Sequence, residues 1–363
     1  MKETNSRRVV VIGVGDSGVG AARLAQQKGF HVLVSSPNII PDKYKQLLIE
    51  DKIDFEEESF SEDFILSAQE IIVSREIHHP LPILEQAQAQ SIPVVAEVEF
   101  AARYTQTKII AVTGTYGKTT TTLLIYHLLQ AAGYDVGMGG NSGKSFAGEL
   151  IRGDVRDYWV LEVSSFQLRY CQHFNPEIAI VLNIMPDHLD RYENNFQNYI
   201  NTKFKLIQNL DKDKCFIYFK DNPAIAREVR KRTIPTQLLP ISLVDVLDNG
   251  AAMRHGALDF AIKKPNRTFL ISQADLTLKG KHNMINVMAA ILACLKAGVE
   301  EPVLRSYFQE FKGVEHRLEE VADIAGVKFV NDSKATNVDA VYYALDSFEE
   351  KNHLDWGRRG SWQ

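Results

Sequence analysis

Short apolar segments rich in β-branched residues alternate along the chain with segments whose apolar residues recur at helical spacing. The first pair is a strand pattern at residues 9–12 and a helix pattern at 19–28, which Gly29 closes. Further strand patterns follow at residues 31–34 and 71–73. Strand, helix and strand in this order favour parallel pairing with helices on both faces, so the pattern predicts an α/β fold.

A second unit begins with the strand pattern Lys108–Thr113, which runs into a glycine-containing loop and a helix pattern at residues 119–132. Buried-strand patterns recur at residues 158–163 and 178–184, and Lys281–Ala297 is a helix pattern rich in small residues. The stretch between about residue 220 and residue 280 gives no clear pattern. This unit is predicted to be a P-loop ATPase-type α/β domain.

A third unit begins near Gly313, with a strand pattern at residues 326–330 and a helix pattern at 336–344. Thr336 and Asp339 have the spacing of a capping box at the start of that helix. We therefore predict three domains: a Rossmann-like domain, the ATPase-type domain, and the start of a third unit. Their predicted bounds are residues 1–107, 108–313 and 314–363.

Composition narrows the class of protein. The 363 residues are 45% hydrophobic and 24% charged, as in ordinary globular proteins. A net charge of -5 without a long basic run gives no reason to expect nucleic acid. The three cysteines are far apart and form no C-x-x-C pair, as in reduced cytoplasmic proteins. No apolar run approaches the roughly 18 residues of a membrane span. A cytoplasmic enzyme without a membrane or nucleic-acid partner is therefore expected.

The loop after strand 108–113 has the residues of a phosphate-binding loop. Its glycines let backbone N–H groups approach phosphate, and the following helix presents its positive N-terminus. Lys118 is expected on the β- and γ-phosphates, and Thr119 on Mg²⁺. The strict pattern has a glycine where this chain has Val112, so the form present is the shorter G-x-x-G-K-T. The predicted ATP contacts here are Gly114, Thr115, Gly117, Lys118, Thr119 and Thr120.

An earlier glycine cluster, at residues 13–18, fits G-x-G-x-x-G after a strand. NAD binding needs an acidic residue at the end of the next strand, and Ser35 and Ser36 stand there instead. A site for another diphosphate group is the functional interpretation. The alternative is that these glycines serve only a tight turn and close helix packing.

Three ionisable residues fall at places that suit a ligand site. Glu162, at the end of an apolar strand pattern, is a candidate Mg²⁺ ligand or an exposed polar strand end. His188 follows another strand pattern and is a candidate metal ligand, an acid–base group or a structural histidine. Lys203 lies on the apolar stripe of a helix pattern at residues 199–210. It either meets a phosphate or carries a modification, or it keeps its ammonium in water.

Asn283 and Asn286 lie three residues apart near the start of the pattern Lys281–Ala297 and share one helix face. Capping of the helix and contact with a ligand are both open.

Together these residues resemble the Mur ligase family, the ATP-dependent amino-acid-adding enzymes of peptidoglycan synthesis. The loop at residues 114–119 (GTYGKT) is similar to the family's G-T-x-G-K-T/S, which accounts for the short spacing. Residues 161–168 (LEVSSFQL) and 331–337 (NDSKATN) resemble the D-glutamate-adding branch. The resemblance runs from about residue 8 to about residue 347.

This resemblance implies a function and residue roles. The chain would use ATP to join D-glutamate to UDP-N-acetylmuramoyl-L-alanine through an acyl phosphate, as a monomer in the cytoplasm. Two Mg²⁺ ions would be held by Thr119, Glu162, His188 and a carbamylated Lys203, and the catalytic residues would be Lys118, His188 and Lys203. Adenine and hinge contacts would come from Asn283, Asn286, Arg317 and Asp332. The implied substrate contacts are Gly15, Ser17, Gly18, Ser74, Asn141, Ser164, Lys334 and Thr336.

The chain also departs from the family pattern. Residues 74–77 read Ser-Arg-Glu-Ile where the family usually has Ser-Pro-Gly-Ile, and Ser36 replaces an acidic residue near the uracil. Only about 50 residues follow Gly313, too few for the family's third domain. The resemblance therefore implies that the third unit is the incomplete start of another Rossmann-like domain. Our hypothesis for the end is a frameshift or premature stop that leaves a tail unlike the family after Phe348.

Two other interpretations remain open. One is another Mur ligase or a relative of folylpolyglutamate synthase, against which the segment at residues 331–337 argues. The other is a chain that binds ATP and the UDP-sugar but catalyses nothing.

Overall fold

The chain is described here from a computed structural model. The structure describes residues 7–333, except 78, 80, 154, 264–265, 277, 279, 312, 314–315 and 317–318, and beyond these only residues 341, 345 and 353. No helix in this described part is both long and apolar enough to cross a bilayer.

The first unit is a five-stranded parallel sheet in the order β3-β2-β1-β4-β5, with helices on its faces. Its central strands carry continuous apolar runs because both faces of a parallel sheet are covered. The elements are β1 (Arg8–Ile12), α1 (Asp16–Gln27), β2 (His31–Ser36), α2 (Asp42–Glu50), β3 (Asp54–Glu57), α3 (Glu62–Ile65), β4 (Glu70–Val73), α4 (Pro82–Ala89), β5 (Val94–Ala96) and α5 (Glu97–Ala102).

The second unit is a nine-stranded sheet in the order β14-β13-β12-β11-β10-β9-β6-β8-β7. Its elements are β6 (Lys108–Thr113), α6 (Lys118–Ala131), β7 (Val136–Gly140), α7 (Phe146–Arg152), β8 (Tyr158–Glu162), α8 (Ser165–Arg169), β9 (Ile178–Val181), α9 (Phe196–Phe204), β10 (Cys215–Phe219), α10 (Pro223–Lys231), β11 (Gln237–Ser242), β12 (Gly250–Arg254), β13 (Ala257–Lys263), β14 (Asn266–Ser272), α11 (Lys281–Ala297) and α12 (Glu301–Tyr307). Short 3₁₀ turns occupy Leu189–Tyr192, Lys205–Ile207, Gln273–Asp275 and Phe308–Glu310.

The stretch without a clear sequence pattern forms β12, β13 and β14, which pair antiparallel at one edge of the second sheet. The last described sheet is a hairpin of β15 (Glu319–Ile324) and β16 (Val327–Asn331). The predicted strand at residues 326–330 is therefore present, shifted by one residue. The predicted helix at 336–344, with its capping box, lies outside the described residues.

The second sheet separates two apolar cores. Alternate residues of each strand point to opposite faces, so Ile109 and Trp159 join the core shared with the first unit, whereas Ile110 and Val160 pack under α6 and α11. This double-sided burial and the parallel strands confirm the predicted α/β fold class. The boundaries of the three domains stay a prediction.

Two element predictions need correction. The helix predicted at residues 199–210 is α9 (Phe196–Phe204) followed by a 3₁₀ turn, Lys205–Ile207. It starts earlier because the Asn195 side chain caps it by accepting the backbone N–H of Gln197 at 2.8 Å. The strand predicted at residues 178–184 ends at Val181, since the chain beyond it bonds to the phosphate-binding loop.

Candidate functional site

The phosphate-binding loop joins β6 to α6, as the sequence predicts. Gly117 caps the helix in the left-handed region, at φ 84, where a side chain would be strained. The Lys118 ammonium folds back over the loop and donates to the carbonyl oxygens of Gly114, at 3.0 Å, and Thr115, at 2.9 Å. The loop thus combines a helix N-terminus with a lysine, which suits a triphosphate.

Three polar residues form a chain of hydrogen bonds beside this loop. The Thr119 hydroxyl donates to one Glu162 carboxylate oxygen at 2.8 Å, and the Asn141 amide donates to the other at 2.9 Å. Glu162 is only 2% exposed. The order of strands explains the convergence, because β6, β8 and β7 are neighbours and their carboxyl ends meet at one edge.

This arrangement fits Mg²⁺. Glu162 is a buried carboxylate whose observed partners are both neutral, and a buried carboxylate is costly without a cation. Carboxylate and hydroxyl oxygens are ligands that Mg²⁺ prefers. Among the described residues, no three His, Cys, Asp or Glu side chains cluster as a complete metal site, so phosphate and water oxygens would have to supply the other ligands.

Lys203 is brought to the same loop from α9. It is 1% exposed, its Nζ donates to the Gly114 carbonyl oxygen at 2.8 Å, and it lies 4.8 Å from the centre of the Tyr199 ring. Burial, aided by the nearby charge of Lys118, holds the pKa of Lys203 well below its usual range. The alternative in which the ammonium stays in water is therefore wrong.

Two further side chains position the loop, and sequence reasoning did not select them. The Asn183 amide accepts the backbone N–H of Tyr116 at 2.8 Å and donates to its carbonyl oxygen at 3.0 Å. The buried Tyr199 hydroxyl lies 3.1 Å from the Thr115 hydroxyl. The available signal for Asn183 was a polar residue near the end of a predicted buried strand; for Tyr199, on an apolar stripe, there was none.

His188 lies near this edge but is half exposed, and its backbone is left-handed, at φ 51. Its Nε2 is 3.7 Å from an Asp187 carboxylate oxygen, and its ring is 5.6 Å from that of Phe166. Burial lowers the pKa of His188 although Asp187 opposes the shift. A neutral imidazole can coordinate a metal or accept a proton.

Helix α11 lies against the phosphate-binding loop. The Asn286 amide donates to the Asn283 side-chain oxygen at 3.2 Å, and a Cβ on Gly117 would overlap Asn286. Both asparagines are buried. Asn286 therefore lies at the loop, with Asn283 bonded to it, and contact of the two asparagines with a nucleotide stays a prediction.

The first glycine cluster forms the turn from β1 into α1. Gly13 is left-handed, at φ 95, and a Cβ on Gly18 would overlap the Gly13 carbonyl oxygen. Ser17 and Ser74 are buried beside the turn. The sequence left two functions open for this cluster, close helix packing and contact with a diphosphate. This geometry is compatible with both.

Arg75 connects the first glycine cluster to the end of β7. Its Nη1 donates to the carbonyl oxygens of Gly140, at 2.6 Å, and Asn141, at 3.3 Å. Arg75 therefore brings the first glycine cluster and the end of β7 together.

The remaining predicted residues divide into two groups. Ser164 caps α8 in a capping box with Gln167, which gives it a structural role. Asp332 follows β16 at the end of the hairpin. Arg317, Lys334 and Thr336 lie outside the described residues.

The fold and the loop define a class, the P-loop nucleotide-binding α/β proteins. Within it, residues 112–294 match the model of the Mur ligase middle domain, and residues 7–96 match that of the Mur ligase MurD-like, N-terminal domain. The chain belongs to the Mur ligase family. The prediction of an ATP-dependent ligase of peptidoglycan-precursor synthesis is confirmed at this level.

One relative supports this assignment, and two solved structures share the fold. The UDP-N-acetylmuramoylalanine–D-glutamate ligase of Bacteroides thetaiotaomicron is 44% identical over 351 residues, 97% of this chain and 78% of that protein. A pseudomurein peptide ligase type C from Methanothermus fervidus has a TM-score of 0.57 at 18% identity, covering 96% of this chain and 78% of its own. The MurF ligase from Thermotoga maritima, in complex with ADP, has a TM-score of 0.54 at 17% identity over 96% of this chain and 75% of its own.

Proposed function

We propose that the chain joins D-glutamate to UDP-N-acetylmuramoyl-L-alanine at the expense of ATP, through an acyl phosphate. The observation that carries the proposal is the chain Thr119–Glu162–Asn141, which links the phosphate-binding loop through Arg75 to the first glycine cluster. The identity to a D-glutamate ligase over nearly the whole chain supports the choice of amino acid.

In the first step, the L-alanyl carboxylate of the substrate attacks the γ-phosphorus of ATP, and ADP leaves. Lys118 would neutralise charge on the transferred phosphoryl group, while the loop amides hold the phosphates in line. In the second step, the D-glutamate amine attacks the acyl phosphate, phosphate leaves, and the amine loses a proton. That proton would pass to solvent, because a neutral His188 imidazole that holds a metal has no free lone pair to accept it.

Mg²⁺, as two ions in our proposal, would supply charge neutralisation on the phosphate oxygens. Thr119, Glu162, His188 and a carbamylated Lys203 would hold it. Carbamylation needs an uncharged amine, and the burial of Lys203 favours that form. The product would be a carboxylate-like group beside Glu162 instead of a buried cation.

We assign the UDP-sugar to residues 1–107, ATP to residues 108–313, and the first part of an amino-acid-binding domain to residues 314–363. The proposed substrate contacts remain Gly15, Ser17, Gly18, Ser74, Asn141 and Ser164. We propose a monomer that acts in the cytoplasm on small molecules.

The test is phosphate release from the full chain with ATP, Mg²⁺, UDP-N-acetylmuramoyl-L-alanine and D-glutamate. Release should require both substrates and should fall by at least about a hundredfold in Lys118→Met, because a lost transition-state contact costs that much. Lys212→Met, at an exposed position, is the matched control. ATP binding without turnover would favour a chain that binds its ligands but catalyses nothing. Turnover with another amino acid would indicate a ligase of different specificity.

A further inference from the structure

Glu76 occupies the space above Gly15. A Cβ added to Gly15 would overlap the Glu76 carboxylate, and the Glu76 side chain is 32% exposed. Gly15 has extended backbone, at φ 176, which any residue can adopt. What matters at Gly15 is therefore the space left by its missing side chain. The Glu76 carboxylate fills that space.

That space is suited to anions. Gly15 is the N-cap of α1, a helix of 12 residues, and lies within the G-x-G-x-x-G turn. Backbone N–H groups and the helix dipole at such a turn favour negative charge. Ser74 donates its hydroxyl to the Glu76 carboxylate, and the Arg75 Nε lies 3.3 Å from it. Glu76 is thus an internal anion held at a diphosphate-type turn.

Arg75 is placed to exchange partners. Its side chain is 14% exposed and anchored by the Gly140 carbonyl oxygen at 2.6 Å, whereas its contacts with Glu76, at 3.3 Å, and Asp16, at 3.7 Å, are longer. The anchor belongs to the second unit, and the two carboxylates belong to the first. Losing Glu76 would therefore leave the guanidinium in place with unused donors facing the turn.

We propose that Glu76 is a specificity-determining residue that competes with the substrate's diphosphate for the turn at Gly15. On binding, the diphosphate displaces the Glu76 carboxylate and takes over the Arg75 guanidinium, which stays fixed to Gly140. This inference rests on the proposed UDP-sugar function and deepens it. Its consequence is that the chain binds nucleoside diphosphates more weakly than the turn and Arg75 alone would allow.

The experiment measures binding of UDP and UMP to the full chain by isothermal titration calorimetry. Glu76→Gln keeps the size of the side chain and removes its charge, so UDP should bind roughly twofold to fivefold more tightly, the range of a partly exposed charge interaction. The gain should be smaller for UMP, which carries less charge. Glu50→Gln, on the exposed end of α2, makes the same change of net charge and should leave both affinities unchanged.

Arg75→Met should weaken UDP binding by roughly tenfold. Its control, Arg152→Met, removes a 69% exposed guanidinium that contacts only Glu149 among the described residues. Glu76→Ala is measured in parallel with Glu76→Gln, so that misfolding of one variant, detected by circular dichroism, does not remove the test.

Two results overturn the proposal in distinguishable ways. Equal UDP affinity in the wild type, Glu76→Gln and Glu76→Ala, or an equal gain for UMP and UDP, excludes competition by charge while leaving the ligase function intact. Failure of the wild type to bind UDP or UDP-N-acetylmuramoyl-L-alanine, although it binds ATP, would instead remove the proposed substrate and this inference with it.

Discussion

At the scale of single residues, burial decides between the two interpretations of Lys203, an exposed ammonium or an enclosed group in the site. Its place on an apolar stripe could be seen in the sequence, but that position suits a lysine with an exposed ammonium equally well. The structure encloses the ammonium completely and places it on the Gly114 carbonyl. That enclosure, with the nearby charge of Lys118, favours the uncharged amine.

Carbamylation of Lys203 is directly testable. With ¹³C-labelled bicarbonate, the wild type should give one carbamate carbon signal in its NMR spectrum, because an uncharged amine reacts with CO₂. Lys203→Met should lack this signal and should lose at least about a hundredfold in ligation rate. An active wild type without the signal would argue against the modification. Lys212→Met serves as control.

Glu97 makes stability depend on pH. It is buried and accepts hydrogen bonds from the Ser145 hydroxyl and the Ala147 backbone N–H at 2.7 Å each. Its other oxygen has no hydrogen-bond partner among the described residues. Burial raises the pKa of Glu97 to about 7, and Glu76 adds to the rise, while these hydrogen bonds and Arg75 oppose it. The folded chain therefore binds more protons than the unfolded chain between pH 4.5 and 7.

The direction in which stability changes with pH follows from this difference in bound protons. The stabilising contribution is complete below pH 4.5 and is lost as the pH rises through about 7. The free energy of unfolding should fall by up to about 3 kcal/mol between pH 4.5 and pH 8 through this group. Glu97→Gln, which imitates the protonated acid, should flatten that dependence in urea unfolding, whereas Glu50→Gln should not. If the free energy of unfolding changed with pH equally in the wild type and in Glu97→Gln, the raised pKa of Glu97 would be contradicted.

At the scale of elements, the contact between α11 and the phosphate-binding loop depends on Gly117. Its left-handed backbone and the nearby Asn286 both exclude a side chain. Gly117→Ala should therefore displace either the loop or α11 and weaken ATP binding by about tenfold or more, since such strain costs about 1–3 kcal/mol. ATP titration measures the effect.

The control for Gly117→Ala is Gly133→Ala, at the end of the same helix. Gly133 is also left-handed, at φ 86, but no atom lies within 4 Å of an added Cβ. This variant should lose some stability through strain and keep its ATP affinity. Equal loss of affinity in both variants would show that the contact with Asn286 is unimportant.

The elements near the site could largely be predicted from sequence. The loop, its strand and its helix are adjacent in the chain, so glycine spacing and periodicity determine them locally. The antiparallel edge of β12 to β14 gave no such pattern. Its pairing depends on neighbours across the sheet, and sequence periodicity does not specify those neighbours.

At the scale of the whole molecule, the two large sheets are joined through α1 and α7. A Cβ on Gly20 would lie 2.8 Å from the Gly148 backbone nitrogen and would overlap the Ser145 hydroxyl. Gly20→Val should therefore lower the free energy of unfolding by about 1–3 kcal/mol through overpacking. Helix propensity alone predicts a slight gain, so the sign of the change separates the two effects.

Urea unfolding checks this prediction, with Gln27→Val as control on the exposed end of α1. The control should change stability by less than about 0.5 kcal/mol. A stabilised Gly20→Val chain would mean that the two units do not pack as described.

The sequence by itself determined the α/β class, the phosphate-binding loop and the candidate residues Thr119, Glu162 and Lys203, because each depends on short-range spacing or on a resemblance carried by continuous motifs. Only the tertiary structure decided that Glu162 bonds to Thr119 and Asn141, that Asn183 and Tyr199 support the loop, and that Glu76 lies on Gly15. These contacts join residues far apart in the chain. The order of strands in each sheet brings them together, and the spacing of residues along the chain does not specify that order.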